Sequence, residues 1–117
     1  MGALKRYEVR VAEQRERLAA SLERFVALAR SKPDVRAVYV FGSFATGAVG
    51  PTSDLDVLVV RATELPPHDR GDDLYAEAKV DVGLDLVVVT PQEHRERLPA
   101  TSFGRVILAT ARQVYAA

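Results

Sequence analysis

Over residues 3–31 the apolar positions Leu4, Tyr7, Val11, Leu18, Leu22, Phe25 and Leu28 recur at helical spacing, with Arg, Glu and Gln between them. That period predicts one long amphipathic helix, ended by Pro33. The pattern then changes to short apolar runs. Residues 35–41 read as a strand from their Val, Tyr and Phe content, which breaks at Gly42-Ser43 into about two helical turns stopping near Gly47. Gly50, Pro51 and Thr52 form a loop, and residues 55–60 are apolar on both faces, as an interior strand requires. Pro66-Pro67 breaks the chain, residues 69–79 have helical composition, and residues 84–89 read as a third buried strand. Thr90 as cap and Pro91 at the first helical position open a short helix to Leu98. Residues 102–109 predict a further helix, and residues 112–115 fit either a short edge strand or a continuation of that helix.

These elements predict an α/β (α+β) fold: a small mixed sheet, helices packed mainly on one face, and a long N-terminal helix. A chain of 117 residues without internal repeat or linker is expected to form a single domain over 1–117. Lys plus Arg equals Asp plus Glu at 16 each, so no net field favours a long nucleic acid or an anionic membrane. Cysteine is absent and only two histidines occur, which excludes thiolate sites, disfavours zinc and leaves oxygen-ligated magnesium as the metal to consider. The first residues are charged throughout and no apolar run approaches a membrane span, so the protein is expected to be cytoplasmic.

The chemistry concentrates in residues 38–60, VYVFGSFATGAVGPTSDLDVLVV. Asp54 and Asp56, two apart at the head of a strand, project from one face. Such carboxylates repel each other in a half-buried sheet unless a divalent cation or a shared proton lies between them. The Gly42-Ser43 turn is expected to leave backbone N–H groups free for an anion such as a phosphate. A pair of magnesium ions would need a third carboxylate from a neighbouring strand, and Asp85, an acid inside an apolar run, fits. Asp81 is the competitor, with the same side-chain parity, but Gly83 interrupts that strand and Asp81 lies nearer the turn. An Asp-x-Asp pair by itself also caps loops or holds the metal of a sugar nucleotide; here the glycine, the serine and the later aspartate accompany it in order.

Gly42-Ser43, then Gly47 and Ser53, then Asp54-Leu55-Asp56, then a lone aspartate opening an apolar strand, resembles the DNA polymerase beta nucleotidyltransferase superfamily over residues 35–97, and its minimal branch in length. The resemblance implies that Gly42 and Ser43 hold nucleotide phosphates, that Asp54 and Asp56 bind two Mg2+ ions, with Mn2+ able to substitute, and that Asp85 completes the site and helps deprotonate the attacking hydroxyl. It further implies transfer of AMP from ATP to an acceptor hydroxyl. Many minimal members resemble the antitoxin half of a toxin-antitoxin pair with a helical HEPN-type protein, some of them modifying a tyrosine of that partner. A homo-oligomer is compatible with this reading. The rival reading is a binding module, an antitoxin or adaptor that neutralises its partner by occlusion.

Other polar residues invite weaker expectations. His68 and His94 read as solvated surface residues, and Asp72-Asp73 as a solvated helix start. Arg61 and Lys79 are cations able to approach phosphates. The first turns of the N-terminal helix are expected to project beyond a small sheet.

Overall fold

The computed structural model describes residues 2–117. Helix α1 spans Ala3–Arg30, β1 Val35–Phe41, α2 Gly42–Thr46, β2 Leu55–Arg61, α3 Asp72–Glu77, β3 Leu84–Val89, α4 Pro91–Glu96, α5 Ser102–Thr110 and β4 Arg112–Ala116. Short 3-10 turns occupy Pro67–Asp69 and Leu98–Ala100. The strands form one four-stranded sheet in the order β3-β2-β1-β4, with β1 antiparallel to both its neighbours and β2 parallel to β3. The last segment is therefore an edge strand and not a helical continuation, because its Val114 and Tyr115 pack beside β1 while Ala111 leaves the helical conformation.

Alternation along the strands separates two cores. Val38 and Val40 of β1 and Leu55, Val57 and Val59 of β2 meet Leu18, Phe25 and Ala29 of α1 and Leu74 of α3. Ala37 and Phe41 of β1, Leu58 and Val60 of β2 and Val89 of β3 face the smaller layer formed by Leu98 and by Ile107 of α5. Full burial of large apolar side chains such as Leu18, Phe25 and Leu58 stabilises by about 1.5–3 kcal/mol each. Val35 joins the first core despite its parity, since the β1–β2 register shifts between Val35 and Ala37.

At a rise of about 1.5 Å per residue α1 is about 42 Å long, which accounts for the 53 Å extent of the molecule. Residues 2–10 are all exposed, including Leu4 and Tyr7, so the first turns do project past the sheet. Two expectations need correction. β3 is not buried: it is the other edge, paired only with β2, and within it only Val89 is fully covered. α3 is shorter than the composition of 69–79 suggests, because Gly71 caps it and Lys79 adopts φ +49°, outside the helical region.

Candidate active site

The site lies where β1 ends and β2 and β3 begin. Gly42 has φ +72°, and a Cβ there would collide with the Asp56 carboxylate, so glycine is required both by the backbone and by the acid lying over it. α2 is a single short turn, not two, and Gly47 at φ 84° stops it in the left-handed conformation. Residues 47–53 then return the chain to β2. Ser53 Oγ accepts from Gly50 N–H at 2.8 Å, Gln14 Nε2 of α1 donates to the Ser53 carbonyl at 2.8 Å, and Arg15 donates to the Gly47 carbonyl at 3.4 Å. The loop thus delivers Asp54 from a fixed point.

Asp56 and Asp85 are directly opposite in the parallel β2–β3 register, on the face carrying Leu58 and Val87. Asp54 precedes the strand, and its carboxylate lies over Gly83, where a Cβ would collide with it. Asp56 carries the electrostatic consequence: burial first, then the charge of Asp85, then that of Asp54, push its carboxyl above the ordinary 3.8. Asp85 itself is exposed, which corrects the expectation of an acid inside a buried run. The strain of unpaired charge falls on half-buried Asp56, because β2 is interior and β3 is an edge.

Asp81, the competitor, points elsewhere. Ser21 Oγ donates to it at 3.0 Å, and Arg24 and Arg17 approach at 3.4 and 3.6 Å. The hydrogen bond from Ser21, ahead of the two arginine charges, holds its carboxyl below the ordinary value. The structure thus brings Asp54, Asp56, Asp85 and Gly42 together and ties Asp81 to α1.

Three carboxylates of this kind suit a hard cation with oxygen ligands, and the raised Asp56 is the mark of charge that such a cation would neutralise. As the side chains stand, no three acidic or histidine groups among the described residues are gathered tightly enough to hold a metal ion. The carboxylates of Asp54 and Asp56 are turned over Gly83 and Gly42, as mutually repelling charges would be.

Several expectations change here. The Gly42 N–H is not free, since it donates to Thr110 Oγ1 of α5 at 3.1 Å. Ser43 keeps its hydroxyl without a protein partner among the described residues. Arg61 does not approach the site: it is buried at the far end of β2 between Asp34 and Asp73. Asp73 is accordingly an ion-pair partner and not a solvated helix start, because α3 packs that end of the sheet. His94 is half-buried with its ring 5.4 Å from that of Tyr39, on the carboxylate face, whereas His68 is exposed. Sequence reasoning missed Gln14, Ser21 and Thr110. For the first two a signal existed: polar residues at positions of the α1 stripe otherwise apolar between Val11 and Phe25.

A mixed sheet with a glycine-serine turn closing one strand and carboxylates opening the next two defines a nucleotidyltransferase-type domain. The family model described as polymerase beta, nucleotidyltransferase, matches residues 23–112, and the chain belongs to that family. In solved structures the fold is shared with a candidate nucleotidyltransferase from Sulfolobus solfataricus, at 24% identity and a TM-score of 0.68, covering 92% of this chain and 87% of that one. It is also shared with a chain of a toxin-antitoxin structure with AMP-PNP, at 23% identity and a TM-score of 0.57, covering 81% and 73%. A chain of a toxin-antitoxin MntA-HpeT mutant structure gives 24% identity and a TM-score of 0.52, covering 79% and 69%. No curated protein matches the chain. Among the described residues no helix is long and apolar enough to cross a membrane.

Proposed function

We propose that this nucleotidyltransferase domain transfers AMP from ATP, with Mg2+, to a hydroxyl of a partner protein, as the antitoxin of a toxin-antitoxin pair whose toxin is a helical HEPN-type protein. The observation that carries the chemistry is the register of Asp56 against Asp85, with Asp54 beside them, and the Asp56 carboxyl raised first by burial and then by the charges of Asp85 and Asp54. Two Mg2+ ions held by Asp54, Asp56 and Asp85 would supply charge neutralisation on the triphosphate. Gly42 admits the Asp56 carboxylate at the turn, and the Ser43 hydroxyl is available to a phosphate oxygen. Asp85, exposed and aligned with Asp56, is open to an incoming hydroxyl and suited to accept its proton. The toxin-antitoxin structures that share the fold, one of them with AMP-PNP, support an ATP-type ligand and a protein partner.

The test is to mix the purified protein with the product of the neighbouring gene, ATP and Mg2+, and to weigh the partner. Its mass should rise by one or more AMP units, and should not rise when Asp54→Asn and Asp56→Asn are combined. A tight complex with no mass change, still neutralised by the double mutant, would establish occlusion instead.

A further inference from the structure

Residues 78–83 join α3 to β3 and contain Lys79, whose φ of +49° is the one positive value at a non-glycine among the described residues. One face of α1 holds this turn through Arg17, Ser21 and Arg24, which lie at i, i+4 and i+7. The buried Ser21 hydroxyl donates to Asp81 Oδ1 at 3.0 Å, and Arg24 reaches the Lys79 carbonyl at 3.2 Å and the same Asp81 oxygen at 3.4 Å. Arg17 pairs with the other Asp81 oxygen at 3.6 Å and donates to the Asp81 carbonyl.

The clamped turn leads directly into the site. The Gly83 carbonyl, two residues on, accepts from Leu55 N–H at 2.7 Å, and Gly83 is the surface beneath the Asp54 carboxylate. Leu84 and Asp85 then take their partners Leu55 and Asp56. β3 is an edge strand whose outer side carries, among the described residues, a single bond from Leu86 N–H to the Tyr75 hydroxyl of α3 at 3.0 Å, so its starting point at Leu84 rests chiefly on this turn. A slip of one residue would carry Asp85 to the α1 face, and a slip of two would move it about 6.6 Å along the same face, too far to share a cation with Asp56.

We propose that Asp81 is a positioning residue of the nucleotidyltransferase site, the latch by which α1 sets the register of β3 and so the place of Asp85. The inference rests on the metal-dependent reading above for its functional consequence, but not for its structural one. Because the ion pairs of Asp81 are half-exposed, they add little to global stability, and their effect is local.

Two readouts on the full chain decide it. In metal-free protein, Asp81→Ala should speed amide exchange in β3 while leaving β1 and β2 protected, with Tm close to wild type. Ser21→Ala should do the same to a smaller degree. In a Mn2+ titration with a non-hydrolysable ATP analogue, Asp81→Ala should bind the metal about tenfold more weakly, as loss of an outer supporting contact does. Asp81→Asn keeps the oxygen that accepts from Ser21 and should rescue most of that loss. Unchanged β3 exchange in Asp81→Ala, or a uniform loss of protection across all strands, overturns the proposal. A wild-type protein that binds no Mn2+ overturns the metal reading of the site instead, and the exchange pattern still decides the latch.

Discussion

At the residue scale the site is a problem of like charges. Asp56 is half-buried on an interior strand, with Asp85 opposite and Asp54 two residues before it, and its folded carboxyl is raised above 3.8. The native state therefore holds that proton more tightly than the unfolded chain, and stability is lost as pH rises above the ordinary value. Asp56→Asn should raise the Tm of metal-free protein at pH 7 by roughly 1–4 °C while abolishing any further rise on adding Mg2+ and ATP, as read by thermal shift. A variant that melts lower than wild type without metal would contradict the electrostatic account. The two candidate third acids separate in the same way. Asp85→Asn should cut transfer by several orders of magnitude, as loss of a metal ligand and base does, whereas Asp81→Asn, which preserves the Ser21 hydrogen bond, should keep most of it. Initial rates of AMP incorporation compare them directly.

At the element scale α1 has two halves with different work. Beyond Arg10 it contributes Leu18, Phe25 and Ala29 to the core, and Gln14, Arg15, Arg17, Ser21 and Arg24 to the loops flanking the site. Before it, residues 2–10 are all exposed. Deleting residues 2–10 should accordingly lower Tm by no more than about 2 °C in a circular-dichroism melt, since surface changes away from the core rarely exceed ~0.5 kcal/mol. β3 illustrates the opposite case. Its sequence, Leu-Asp-Leu-Val-Val-Val, reads as an interior strand, yet it is an edge. Local apolarity reports that both faces of a strand are covered in part, here by α3 on one side and by Leu98 and Ile107 on the other; it does not report how many strands flank it.

Across the whole molecule, polar groups divide between two ends of the sheet. The end with Gly42, Asp54, Asp56 and Asp85 gathers unpaired acid, while the far end closes a network in which Arg61 pairs with Asp34 and Asp73, Lys32 with Asp73 and Glu77, and Arg70 with Glu93. Arg61, first among several causes, holds the Asp73 carboxyl far below the ordinary 3.8. The contribution of Asp73 is therefore complete above that value and is lost as pH falls through the lowered one. Asp73→Asn should destabilise by about 1–3 kcal/mol at pH 7, less than a fully buried pair because this carboxylate is 36% exposed. The gap from wild type should stay constant between pH 7 and about 5 and narrow below the ordinary carboxylate range, as followed by urea titration at each pH. A gap that widens on acidification would reverse the sign of the argument.

By itself the sequence determined the long first helix, the strand-turn-strand around Gly42-Ser43 and Asp54-Leu55-Asp56 and the Thr90 cap. Those features are written in local patterns: periodicity, turn chemistry and the spacing of acids along a strand. The Thr90 and Glu93 side chains do form the reciprocal cap that opens α4. The rest depended on which segments meet. That Asp73 neutralises Arg61, that His94 lies on Tyr39, that Thr110 takes the Gly42 N–H and that Asp81 is latched to α1 are contacts between residues 12 to 68 positions apart, or 55 in the case of Tyr39 and His94. Periodicity can at most mark one member of such a pair, as Ser21 stands out in the α1 stripe, because each contact joins one side chain to a partner that only the folded sheet brings within reach.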